Sequence, residues 1–172
     1  MTYLRFVAVA ALVSVVGFAS TQLGAQDSAA REAKDRHEIE ALMWRYTRAL
    51  DTRNADAYAA AYTPDGQFSA GGPTPTKGRA ALHKMVADLN ARATAAAAKG
   101  EAGPAMYHMT MNSNLTFVDK DHATIEAYWQ TVFGANGPNT PVRVAAAGRS
   151  IDRVVRVNGQ WLIQSRDVAP RD

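Results

Sequence analysis

The stretch MYHMTMNSNLTF, residues 106–117, carries two side chains able to do chemistry, His108 and Asn112, four positions apart. Histidine changes charge near neutral pH and can act as a general base when a partner fixes which ring nitrogen holds the proton. The run alternates as a strand does, and successive strand side chains point to opposite sides. Tyr107, Met109, Met111, Leu115 and Phe117 therefore share one side and are expected to make core. His108, Thr110, Asn112, Asn114 and Thr116 share the other. Asn114 and Thr116 read as a solvated surface, whereas His108 and Asn112 are candidates for the wall of a pocket. The plainer alternative is that the whole polar side is wet.

Several other chemistries are excluded by what the chain lacks. It has no cysteine, so thiolate catalysis, disulfides and a lipidated cysteine are out. His37, His83 and His122 have no second ligand at metal spacing, and Gly71-Gly72 is followed by proline instead of a helix start. No metal and no nucleotide cofactor are expected on those patterns. The formal charge is only +3, with lysines and arginines scattered singly among acids, which argues against a nucleic-acid partner.

The elements that must position His108 begin after a leader. Arg5 precedes an uncharged apolar run from Phe6 to Ala19, the pattern of an export signal. The run is shorter than the roughly 20 residues of a membrane span, so no anchor is expected. Cleavage after Ala19 or Ala25 would remove residues 1–25 or fewer, and losing Arg5 leaves a charge of about +2. An exported protein, periplasmic or secreted, with one domain over residues 30–170 is the expectation.

Within that domain, Ile39, Leu42, Met43, Tyr46 and Leu50 have the three-and-four spacing of one helical face, predicting a helix that ends near Asp51. Asn54 can cap a second helix over ADAYAAAY, which Thr63-Pro64-Asp65-Gly66 closes as a turn. A short strand QFSA, a Gly-Pro linker and a third helix ending at Gly100 follow. The period then changes to alternation, predicting strands over 107–118, 122–133, 142–157 and 161–168, with Asn158-Gly159 as a hairpin turn. Helices followed by a meander argue an α+β fold. A curved antiparallel sheet with helices in its concave side would leave a pocket that a residue at the end of the first helix could reach. Asp51 falls at the edge of the buried helical stripe, so its carboxylate is half committed to the interior; helix-ending turn chemistry is the alternative.

RYTRALDTRNADAYAAAYTPDGQF, then KGRAAL, then the H-x-x-x-N of His108 and Asn112, then GRSIDRVVRVNGQWLIQSR resembles the SnoaL-like branch of the nuclear transport factor 2-like superfamily, over residues 36–168. The resemblance implies an α+β cone with three helices packed on the concave side of a strongly curved sheet, commonly a homodimer. Members similar to scytalone dehydratase and the hexachlorocyclohexane dehydrochlorinase use a His-Asp pair, which falls here on His108 and Asp51. The dehydrochlorinase's arginine after the last-strand tryptophan falls on Arg166, whose alternative is a surface ion pair with Asp152 or Asp167. The dehydratase's carbonyl-polarising tyrosines are not matched, since Leu50 and Gln67 to Ala70 occupy their places, and QFSAGG lacks the acid that ketosteroid isomerases carry on that strand.

The reading implied is a cofactor-free lyase-like enzyme, a dehydratase or related proton abstractor, acting on a small, mostly apolar ligand. His108 would be the base, Asp51 its orienter and Arg166 the holder of a departing anion. Asn112, Tyr46, Trp44, Tyr128 and Trp129 are the candidates to line the ligand, with core packing the competing expectation for Tyr46. Tyr128 and Trp129 are neighbours on one strand, so one should face the pocket and the other pack behind it. The rival reading is a non-catalytic ligand-binding or dimerisation module of the same fold.

Overall fold

The computed structural model describes residues 3–171, with side chains from residue 26 onward. The apolar run Phe6–Ala19 and both candidate cleavage positions thus lie outside the residues with described side chains. Helix α1 (Tyr3–Asp51) is far longer than the helical stripe in the sequence required. Its stretch up to Glu38 forms a compact unit by itself, with the exposed i,i+4 ion pair Arg36–Glu32 at 2.8 Å. The second unit, residues 39–172, holds everything discussed below.

Two helices meet at Asp51 because α1 is stopped there by its backbone. Arg53 adopts a left-handed φ of 55°, and the Asn54 N–H donates back to the Ala49 carbonyl at 2.8 Å, the geometry of a helix C-terminal cap. Asn54 then accepts from the Ala57 N–H at 3.0 Å and starts α2 (Ala55–Ala60). Strand β1 (Tyr62–Ser69) and the short β2 (Thr76–Lys77) precede α3 (Arg79–Ala98). Strands β3 (Met106–Phe117), β4 (His122–Phe133), β5 (Arg143–Val157) and β6 (Gln160–Asp167) complete the chain.

Thr63-Pro64-Asp65-Gly66, expected to be a turn, lies inside β1 instead. The register against β6 shifts between Tyr62 and Gln67, so the turn residues form an irregularity within the strand and do not end it. Gly66 is needed there because a Cβ would come within 2.9 Å of Tyr62 Cβ and 3.1 Å of the Ile163 carbonyl oxygen. The Asn158-Gly159 turn is as expected, with φ values of 51° and 79° suited to a primed hairpin turn.

The six strands run in the order β2-β1-β6-β5-β4-β3. Every neighbouring pair is antiparallel except β1 with β6, which is parallel, so the sheet is mixed and open. Three helices and this sheet make the expected α+β arrangement. The core joins Ile39, Leu42, Tyr46 and Ala49 of α1 to Leu82 and Val86 of α3 and to Ile125, Val154, Trp161 and Ile163 of the sheet. Placing β3 at the edge matters for the site, because an edge strand has main-chain N–H groups with no neighbouring strand to accept them.

Trp161 is buried, its ring centroid 6.2 Å from that of Phe117, with the Arg156 guanidinium 4.5 Å over the indole. Replacing it by alanine should destabilise the protein by about 3–5 kcal/mol through lost transfer energy and an unfilled cavity. A urea melt showing a loss below about 1 kcal/mol would refute that packing role.

Candidate functional site

Asp51 is the last residue of α1, where the helix macrodipole disfavours a carboxylate. The compensation comes from one residue of the edge strand. The His108 main-chain N–H donates to Asp51 Oδ1 at 3.0 Å, and His108 Nδ1 lies 2.8 Å from the same oxygen. An ionised carboxylate offers only acceptors, so this network assigns the proton to Nδ1 and leaves Nε2 as an acceptor. The Asp51 side chain is 7% exposed and that of His108 24%, so the carboxylate is enclosed while the imidazole keeps a route outward.

His108 faces inward because β3 changes sides partway along. Met111 pairs with Tyr128 and Asn114 with Glu126, so Asn112 and Ser113 together oppose the single residue Ala127. This is a β-bulge, and Asn112 within it has a left-handed φ of 50°. After the bulge, Leu115 and Phe117 pack on the core; before it, the inward positions belong to the other parity, including His108. Tyr107 and Met109, expected in the core, are therefore each 45% exposed. Asn112 is exposed at the bulge and does not continue a wall from His108.

The remaining candidates are spread out. Trp44, expected to line the ligand, is 67% exposed, on the solvent side of α1. Tyr46 is core: its ring lies 5.2 Å from Tyr58 and 6.0 Å from Tyr62, and the Tyr58 and Tyr62 hydroxyls are 3.2 Å apart. Tyr128 is exposed, whereas Trp129 is half-buried and lies flat on Gly148, where a Cβ would meet the indole at 2.9 Å. The Trp129 indole N–H donates to the Val168 carbonyl at 2.9 Å. Asn112, Tyr128 and Trp129 do come together, with Met111, Gln130 and Arg149, around an open groove of about 630 Å³. His108 and Asp51 are not among its lining residues.

Arg166 is 4% exposed and paired with the fully buried Asp152, so the ion pair expected at the surface lies in the interior. Its guanidinium stands 4.8 Å over the Tyr46 ring. Burial works against the arginine's charge, but the Tyr46 phenol and the Asp152 carboxylate outweigh it and raise its proton affinity. Burial also raises the Tyr58 and Tyr62 phenols, which stay neutral. For Asp152 burial wins over the opposing Arg166 charge and pushes the carboxyl from its ordinary 3.8 up to about 6. Ser150 supports it, its hydroxyl donating to Asp152 Oδ2 at 3.4 Å. Sequence reasoning named Asp152 only as a surface partner of Arg166 and missed Ser150, Tyr58 and Tyr62 beside it. The available signal was parity, since Ser150 and Asp152 alternate in step with Val154, a core residue.

Two further His-Asp contacts lie at the surface, His83–Asp56 at 3.1 Å and His122–Asp119 at 2.9 Å. Among the described residues no three histidine or acidic side chains gather as metal ligands.

Residues 31–167 match the sequence model of the SnoaL-like domain. Among curated proteins no sequence matches. Among solved structures, a nuclear transport factor 2-like protein with a cystatin-like fold from Novosphingobium aromaticivorans is 23% identical, covers 84% of this chain and 87% of its own, and has a TM-score of 0.68. A protein of unknown function from Mycobacterium tuberculosis is 24% identical over 81% of this chain and 73% of its own, with a TM-score of 0.67. A candidate scytalone dehydratase from Novosphingobium aromaticivorans is 21% identical over 81% and 85%, with a TM-score of 0.63. At such identities these likenesses establish the fold alone.

Asp152 makes a checkable pH dependence. Its folded pKa lies above the unfolded one, so the stability it contributes is complete below about pH 3.8 and is lost as pH rises through about 6. Urea midpoints of the parent and of Asp152→Asn, measured at pH 4.5 and 7, should therefore diverge in the variant's favour as pH rises. A difference that stays constant between the two pH values would show that Asp152 does not titrate in this window.

Proposed function

Because the chain belongs to the SnoaL-like domain family, whose fold hosts dehydratase-type members, we propose that it is a cofactor-free, lyase-like enzyme in which His108 is the general base and Asp51 orients it. The observation that carries the reading is the single oxygen Asp51 Oδ1, which takes both the main-chain and the ring N–H of His108. With Nδ1 protonated, Nε2 accepts a carbon-bound proton, and Asp51 stabilises the imidazolium that results. In an elimination, the C–H electron pair becomes the new π bond while the leaving group departs with the electrons of its own bond. The proposed ligand is small and mostly apolar, the class that the resemblance to dehydratase-type members implies. Arg166 receives no part in holding the departing anion, because its guanidinium is committed to Asp152.

The reading includes export, motivated by Arg5 and the apolar run after it. It also includes a homodimer, supported by Tyr107, Met109, Tyr128 and Val144, all exposed on β3, β4 and β5. The same exposed residues favour the second reading, a non-catalytic binding or dimerisation module. The two differ in what the pair does.

Replacing Asp51 by asparagine should change the His108 titration followed by NMR. Native mass spectrometry of protein from its own host, used to find the ligand, should reveal an elimination substrate, on which His108→Ala and Asp51→Asn lose activity by similar factors because partners act as a unit. An unchanged His108 titration in Asp51→Asn would sink the partnership; a ligand that all three proteins bind and none turns over would favour the module. Material from the extracytoplasmic fraction should begin within residues 20–27 and sediment as a dimer. Recovery of Met1 on cytoplasmic protein, or a monomer at all concentrations, would refute the respective part.

A further inference from the structure

We propose that Asn112 is a positioning residue for His108, acting through the backbone: its left-handed conformation makes the bulge that turns the histidine inward. The inference deepens the reading of the His108–Asp51 pair, but concerns what aims the histidine and not what the histidine does.

Apart from Met106 at its first position, the apolar residues of β3 keep one parity: Tyr107, Met109, Met111, Leu115 and Phe117. A regular strand with Leu115 and Phe117 on the core would therefore bury Tyr107 and Met109 and turn His108 to the outer face. The observed strand does the reverse. With Asn112 and Ser113 together opposing Ala127, the parity switches, His108 reaches Asp51, and Tyr107 and Met109 are left half exposed. Hydrophobic patterning does not ask for this outcome, and a sheet that exposes two large apolar side chains to bring in one histidine breaks a local rule of the kind broken at functional sites.

The switch depends on the residue type at 112. A φ of 50° is uncommon outside glycine, tolerated by asparagine and strained for β-branched side chains. Asn112 does not touch the imidazole, so its influence runs only through strand register. The same change aims the His108 main-chain N–H at Asp51.

The test reads the contact itself. In the parent protein the Asn112 HN–Hα coupling and carbon shifts should report a left-handed φ; extended values would overturn the proposal at once. Two reporters then follow the pair: the hydrogen-bonded Nδ1 proton resonance of His108 and the exchange protection of its amide. Asn112→Gly should preserve both. Asn112→Ala should weaken them, and Asn112→Val should lose the ring-proton resonance and speed amide exchange by at least about tenfold, while Leu115 and Phe117 stay protected. Deletion of Ser113 should remove the His108 signals and protect the Tyr107 and Met109 side chains from solvent. The graded order of glycine, alanine and valine keeps the test decisive should the valine variant or the deletion unfold. Equal His108 signals in all three substitutions, or a glycine variant as damaged as alanine, would overturn the proposal. Because none of these readouts is an activity, they can succeed where the proposed reaction fails, or fail where it succeeds.

Discussion

The arrangement of the site depends on one carboxylate oxygen. Asp51 Oδ1 ties the C-terminal end of α1 to the edge strand β3 by accepting two N–H groups from a single residue fifty-seven positions away. Each party arrives with a deficit. The helix end carries partial negative charge that opposes an acid, and the edge strand carries a main-chain donor with no strand beside it. Joining them answers both deficits with one contact. It also gives the imidazole a defined proton position, which a histidine on a strand face does not acquire by itself. The backbone feature that makes this possible is the abrupt close of α1 at Arg53, which leaves Asp51 as the last helical residue.

The elements that frame this contact were legible because they are periodic. The stripe Ile39, Leu42, Tyr46 and the alternation of β4 to β6 reappear as buried positions, and Asn54 and Asn158-Gly159 act locally as their chemistry requires. The bulge was not legible for a physical reason. A bulge is announced by a break in apolar parity, and from Tyr107 onward β3 has no such break, since the residues it buries before and after Asn112 differ in parity while its apolar residues there do not. The one local trace is the run Asn112-Ser113-Asn114, three weak strand formers between two stretches of good ones. The turn sequence within β1 misled in the opposite direction, because Pro64 and Gly66 were read as an end when Gly66 serves close approach to Tyr62.

Arg166 illustrates a different limit. Its position in the last strand and Asp152 as a candidate partner, fourteen residues earlier on β5, were visible, but not that both would be buried. Asp152 and Arg166 lie opposite one another in the β5–β6 register, and both are buried. A buried ion pair of this kind is weak evidence for stability, since desolvation offsets much of the attraction. The upward shift of Asp152 expresses that balance, with burial outweighing the arginine. What the pair does fix is geometry: the guanidinium lies over Tyr46, five residues before Asp51 on α1, and the tyrosine cluster closes around it.

The structure divides the aromatic and amide candidates from the dyad. Asn112, Tyr128 and Trp129 border an open groove, Tyr46 is core, and Trp44 faces solvent. A chemical argument built on residue type alone would have pooled all five, because type says nothing about side. Side is set by register, and register on β3 is set at one bulge. The consequence is that the outer face inherits what the core gave up. Tyr107 and Met109 are exposed for the same reason that His108 turns inward to Asp51, so the apolar outer face and the inward histidine are two products of one inserted residue. In this chain the catalytic and the associative readings are therefore linked through the backbone of β3, and a change there would alter both together.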